Sequence, residues 1–265
     1  MDATRFHGGT CYRLAGGDTA EPVLVLVHGV GLDQDMWLPW IPVLRPQFRI
    51  LTYDLYGHGG SVNPEGPRSV RDFVNQLEGL LDHLGMPGIA LAGFSLGAII
   101  SQAYASRQGG RLTHLVLLHS VYQRTEAQCR AVRERYAITR ERGPMATVEM
   151  AIERWYTESY RLENPHEMDR LRAVFARHTG DGYLKAYRLF GHAEAEMRHY
   201  PIDGVTCPAL VVTGSDDTGS TPAMSEKLAR HLPNSELVIN PSHRHMGPAE
   251  FAQEMANQVL SFLVK

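Results

Sequence analysis

The chain has 265 residues, with 26 lysine and arginine against 29 aspartate and glutamate and a formal net charge of -3. That length accommodates one large α/β domain that buries most of its unfolded surface, and the near-balanced charge excludes the strongly cationic field of a nucleic-acid binder. Cys11, Cys129 and Cys207 are widely spaced, without Cys-x-x-Cys or Cys/His ligand spacing, so they read as packing residues in a reducing compartment, with no disulfide framework and no metal site.

From Met1 to Leu14 the chain is polar, with Asp2, Arg5, His7 and two glycines where a signal peptide needs an apolar core. No export signal is expected, which points to the cytoplasm. Apolar stretches such as Val23 to Val27 and Leu115 to Leu118 fall far below the roughly 20 residues that span a bilayer, so no membrane partner is expected. Short β-rich runs then alternate with helical patterns: Val23 to Val27, then Met36 to Leu44; Phe48 to Tyr53, then Val70 to Leu84; Ile89 to Phe94, then Leu96 to Ala105; and Leu115 to Leu118. Hydrophobicity that is continuous along each strand, rather than alternating, marks a parallel sheet buried on both faces by helices.

From Tyr122 to about Tyr200 the strand signal lapses into helical periodicity rich in Arg, Glu, Met and aromatics, broken at Gly143-Pro144, Asn164-Pro165 and Gly180-Asp181-Gly182. Alternation resumes at Ala209 to Thr213, Ala223 to His231, Glu236 to Ile239 and Pro248 to Leu263. The predicted architecture is α/β, a mostly parallel central sheet with helices on both faces, formed by residues 1–121 and 201–265, with a helical cap inserted at 122–200.

Residues 93 to 97 read Gly-Phe-Ser-Leu-Gly, behind an apolar strand and ahead of a small-residue helix. A strand that reverses into a helix within a few residues leaves no room for Cβ atoms at the flanking positions, so Gly93 and Gly97 permit the crossing and Ser95 is lifted out at its apex. In open parallel sheets the ligand site lies at the carboxyl ends of the strands. Other reactive types also follow strands: His28-Gly29-Val30-Gly31, Asp216-Asp217, and His243-Arg244-His245. A serine hydroxyl needs a base within hydrogen-bond reach, and that imidazole needs an acceptor to fix its tautomer. Either aspartate and either histidine of the two pairs would serve.

The order serine, acid, histidine, with an inserted helical segment between serine and acid, resembles the α/β-hydrolase family, from about residue 20 to the carboxyl end. The resemblance also rests on His28-Gly29-Val30-Gly31, on Asp54-Leu55-Tyr56-Gly57-His58-Gly59 and on the Gly214 to Pro222 segment. It implies a catalytic triad of Ser95, His245 and Asp217: the acid lies three residues after Gly214, and Glu250 stands five residues after His245. Asp216 is then a turn residue bonding nearby amides, and His243 a loop histidine near the site mouth. The resemblance further implies an oxyanion hole from the Leu96 and Val30 amides, with Gly29 and Gly31 letting that loop approach the substrate.

Gly29, Trp37, His119 and Trp155 are candidates for the substrate pocket, although a large aromatic on a helix more often serves the core and His119 reads better as a satisfied structural histidine. His58 reads as a loop brace. Arg130, Arg133, Arg135, Arg140 and Arg142 are interspersed with Glu134 and Glu141 and read as a solvated helix face; one arginine turned inward would point instead to an anionic substrate. Serine at the elbow argues against the dehalogenase and epoxide hydrolase branches, and the charged cap argues against a glycerolipid lipase. Around Gly143 to Tyr156 and Arg170 to Tyr183 the cap resembles that of 3-oxoadipate enol-lactonase-type proteins. The expected activity is cofactor-independent hydrolysis of a small carboxylic ester or lactone. Amide or carbamate cleavage and acyl transfer on the same triad, or a slow-turnover ligand sensor, are the rivals.

Overall fold

A strand with no polar face is stable only inside a sheet covered on both sides, and strand β3 (Val23–Val27) is such a run, VLVLV with every side chain buried. In the computed structural model, which describes residues 3–16, 21–178 and 181–265, β3 pairs in parallel with β4 (Arg49–Tyr53) on one side and β5 (Ile89–Phe94) on the other. Strands β6 (Leu112–Leu118), β7 (Ala209–Gly214) and β8 (Ser235–Asn240) follow in parallel beyond β5. The chain leaves β3 to one side and returns to build β5 on the other. The loops after these two strands therefore diverge and open the crevice in which parallel sheets bind ligands.

Two further strands complete the order β1-β2-β4-β3-β5-β6-β7-β8. Strands β1 (Arg5–His7) and β2 (Thr10–Ala15) form an antiparallel hairpin, and β2 pairs antiparallel with β4. The sequence reading expected no strand there. Its turn is Gly8-Gly9, with φ of 53° and 78°, the double positive φ of a type I′ hairpin. Met1, Asp2 and the Gly180 of the predicted break at 180–182 lie outside the described residues.

The helix expected at Met36 to Leu44 is a 3-10 segment, Gln34–Trp40, followed by the single turn α1 (Ile41–Leu44). Pro39 and Pro42 remove the amides that a continuous helix needs. Helix α2 (Val70–His83) opens on a capping box between Ser69 and Asp72. Helix α3 (Leu96–Gln108) is buried from Leu96 through Ala105. Between β6 and β7 the described chain is helical: α4 (Glu126–Arg142), α5 (Met145–Trp155), α6 (Glu158–Glu163), α7 (Pro165–Ala176) and α8 (Gly182–Met197). Gly143, at φ 85°, closes α4, and Pro165 starts α7, as the breaks in the sequence indicated.

Helix α9 (Pro222–His231) follows β7. The final helix predicted from Pro248 is split into α10 (Gly247–Glu250) and α11 (Ala252–Leu263) at Phe251, whose ring stacks on His243 at 3.7 Å. Among the described residues no helix is long and apolar enough to cross a membrane.

Candidate active site

Ser95 sits between β5 and α3 at φ 54° and ψ −112°, a conformation that costs a non-glycine residue energy and persists only where the surroundings impose it. They do so here by close packing. A Cβ on Gly93 would lie 2.3 Å from the Gly97 carbonyl oxygen, and one on Gly97 would lie 2.3 Å from that of Val27. The elbow therefore requires glycine on both sides of the serine, and the Ser95 amide is anchored to the Leu118 carbonyl at 2.9 Å.

The three loops after β5, β7 and β8 bring Ser95, Asp217 and His245 together, all buried. His245 Nε2 lies 3.2 Å from Ser95 Oγ, and His245 Nδ1 lies 2.7 Å from Asp217 Oδ2. Asp217 Oδ1 accepts the Gly219 and Ser220 amides at 2.8 and 2.9 Å. Asp217 is thus the residue that bonds the turn amides, whereas exposed Asp216 takes the Ser215 hydroxyl; the expected division of labour between the two aspartates is corrected.

A second imidazole joins this carboxylate. His119, fully buried after β6, places Nδ1 2.8 Å from the same Oδ2. A carboxylate only accepts, so both rings carry hydrogen on Nδ1, leaving His245 Nε2 free to accept from Ser95. Burial alone would push the Asp217 carboxyl up, but the charge of His245 and the hydrogen bonds from His119 and His245 outweigh it and hold the group well below the usual carboxylate range. Separations of 2.7 and 2.8 Å to one oxygen are hydrogen bonds; tetrahedral ligands of a common zinc ion stand about 3.3 Å apart.

The loop after β3 is shaped by histidines. His28 donates Nδ1–H to the Gly29 carbonyl at 2.8 Å while its Nε2 accepts the Leu55 amide at 2.9 Å. His58 Nε2 accepts the Gly31 amide at 3.1 Å, the bracing expected of it. Gly29 lies so close to the elbow that a Cβ would come within 3.2 Å of the Ser95 Cβ. Val30 reaches the cavity above Ser95. Among the described residues, neither the Val30 nor the Leu96 amide gives its proton to a backbone carbonyl outside the regular elements.

That cavity is narrow, about 60 Å³, and open to solvent at its mouth, with Val30, Ser95, His245, Gly219 and Ser220 as its floor. Its roof comes from α4, α5, α7 and α8. Trp155 forms part of the wall, its ring 5.9 Å from that of His245. Two other pocket candidates do not. Trp37 is fully buried, edge-on to Trp40 at 5.1 Å, because the 3-10 segment turns it into the core; His119 lies beneath Asp217, out of reach of the cavity. Gly29 supports the loop from behind and is absent from the cavity lining. His243 is buried against Phe251, not at the mouth.

The roof also holds what the sequence reading missed. Arg124, Arg135 and Arg154 all face the cavity. Arg124 is paired with Glu194 and the Phe190 carbonyl. A signal for Arg135 existed: it falls on the helical stripe of Cys129, Val132 and Thr139, the buried side of α4. The roof is also fastened to the His245 loop. Met246 donates to the Trp155 carbonyl at 2.9 Å, Arg244 to the Glu153 and Tyr156 carbonyls at 2.7 and 3.2 Å, and Glu250 accepts the Thr157 amide at 3.0 Å.

Residues 22–250 match a family model described as the alpha/beta hydrolase fold. The chain is similar to (E)-2-((N-methylformamido)methylene)succinate hydrolase of Acinetobacter baylyi, 30% identical over 91% of this chain and 89% of that protein. It is also similar to 3-oxoadipate enol-lactonase 2 of the same organism, 28% identical over 86% and 84% of the two chains. Among solved structures, the enol-lactonase from Burkholderia xenovorans superimposes with a TM-score of 0.89 at 27% identity, covering 99% of this chain and all of that one.

Proposed function

The chain belongs to the alpha/beta hydrolase fold family, and on that footing we propose that it is a serine hydrolase that cleaves a small carboxylic ester or lactone through an acyl-enzyme. The observation that carries this reading is the hydrogen-bonded line from Ser95 Oγ through His245 to Asp217. Ser95 Oγ attacks the carbonyl carbon while His245 Nε2 takes its proton. Asp217 fixes the ring and stabilises the imidazolium. The amides of Val30 and Leu96 receive the oxyanion, and Leu96 opens α3, whose N-terminal dipole adds to the stabilisation. Collapse expels the alkoxide, which takes the proton from His245, and water repeats the cycle on the acyl-enzyme. With a lactone the alcohol stays tethered, so a single hydroxy acid leaves.

Residues 122–200 act as a cap that closes over a core of 1–121 and 201–265, and no cofactor takes part. Buried, unpaired Cys11, Cys129 and Cys207 support a reducing, cytoplasmic setting. Ser95→Ala is expected to abolish ester turnover and fluorophosphonate labelling while leaving the thermal unfolding midpoint in place. A Ser95→Ala protein with full esterase activity overturns the proposal.

A further inference from the structure

We propose that Arg135 and Arg154 form an anion subsite across the cavity from Ser95, so that the ester or lactone cleaved carries a carboxylate of its own; this rests on Ser95 as the nucleophile. The cavity has arginine in its lining and no aspartate or glutamate. Of its three guanidiniums, Arg124 is neutralised by Glu194. Among the described residues neither Arg135 nor Arg154 has a carboxylate partner, although arginines elsewhere on the chain pair with acids.

The nitrogen atoms are also short of acceptors. Arg135 Nε is buried without a hydrogen-bond partner. Arg154 has one long contact, 3.4 Å to the Met150 carbonyl, and the Trp155 ring 5.9 Å away. Arg135 and Arg154 are half-buried; a buried N–H of a charged group left without an acceptor, as at Arg135 Nε, is costly, and two like charges facing one cavity add to that cost. Burial, and after it the like charge of Arg135, presses the Arg154 guanidinium down from its ordinary pKa, in keeping with an incomplete site. Both costs disappear when an anion enters.

A carboxylate is the anion that the walls admit. Two planar forks match its flat, two-oxygen geometry, and Trp155, Phe175, Tyr183 and Tyr187 bound the space around it. Because the floor supplies the reacting groups and the roof supplies the charge, the scissile carbonyl and the carboxylate sit at opposite ends of the substrate. The roof then selects against neutral esters, which would leave both arginines unsatisfied.

The test compares an aryl monoester of glutaric acid with the neutral aryl pentanoate of similar size. In the wild type kcat/KM should favour the charged ester by about 30-fold or more, expressed in KM, the factor lost when one partner of a buried charge pair is removed. Arg135→Gln and Arg154→Gln should each bring that ratio towards one, and Arg154→Lys should recover part of it; a merely structural role would lower both esters together and leave the ratio alone. Glutarate titrated calorimetrically into Ser95→Ala should bind, and binding should weaken in Ser95→Ala with Arg154→Gln. A wild-type ratio near one, a ratio unmoved in both glutamine variants, or tighter binding of inorganic phosphate than of glutarate overturns the subsite. If neither ester is cleaved by the wild type while glutarate binds and the arginine variant loses it, the subsite stands and the esterase reading falls.

Discussion

The floor and the roof of the Ser95 cavity are built on opposite principles. On the floor the charged group is paired: the Asp217 carboxylate takes two imidazoles and two amides, and His28 and His58 hold the neighbouring loop by ring-to-backbone bonds, while the neutral Ser220 hydroxyl and His119 Nε2 are buried without a partner. In the roof, Arg135 Nε and Arg124 Nη1 are buried with open hydrogen-bonding capacity. On the function proposed above, a carboxylate already paired without substrate is preorganised to stabilise charge as the reaction develops it. On the proposed subsite, the roof gains its affinity from what it lacks, and the same cavity separates rate from recognition.

Substitutions in the two layers should fail in different ways, and the size of each failure tests the division. Ser95→Ala heads the order, with kcat falling by about a million-fold for every ester alike. Asp217→Asn keeps the volume but gives His245 the wrong tautomer, and kcat should drop about 10,000-fold, again without regard to substrate charge; a loss confined to charged esters would erase the distinction between layers. The arginine variants come next, at about 30-fold and visible in the ratio of the two esters. His119→Asn removes one ring from Asp217 and should lower kcat about tenfold with KM unchanged, the scale of one hydrogen bond to a charged group. A change in KM instead would assign His119 to recognition.

A further effect, on the fold and not on turnover, is on stability against pH. Burial lowers the pKa values of His28, His58 and His119, so below about pH 6.5 the unfolded chain takes up protons that the folded chain refuses. Stability should therefore decline as pH falls from about 6.5, by up to about 1.4 kcal/mol per unit for each histidine. Asp217, held low in the folded state, adds a second decline once the pH falls through the ordinary carboxylate range, near 4. Denaturant midpoints measured between about pH 8 and pH 3 check both; a midpoint that holds steady down to the carboxylate range contradicts the account of the buried histidines.

The floor was far more legible in the sequence than the roof, and the reason is local geometry. Gly93 and Gly97 are demanded by contacts within a few residues or with the adjacent strand end, and the residues after successive parallel strands converge by topology alone. The β1–β2 hairpin is faint in the sequence because much of its pairing is with β4, far along the chain, although Gly8-Gly9 marks its turn. The sequence around Trp37 suits wall or core alike, and only the 3-10 geometry of Gln34–Trp40 directs it inward. Arg135 belongs by composition with its charged neighbours, whereas its place on the stripe with Val132 and Thr139 decides its direction. Composition reports how many charges a helix carries; spacing reports which of them it hides.

The seam between Trp155–Thr157 and Arg244–Glu250 bears on how such enzymes can be recombined. It joins the corner after α5 to the loop that carries His245, across roughly ninety residues of chain. A chimera that imports residues 122–200 from a relative would bring new carbonyls and a new corner to an old seam, and the imidazole would lose its alignment even with all three reacting residues intact. Transplanting specificity in this scaffold therefore means moving two separate pieces, the helical insertion and the short stretch from Arg244 to Glu250, as one inherited unit.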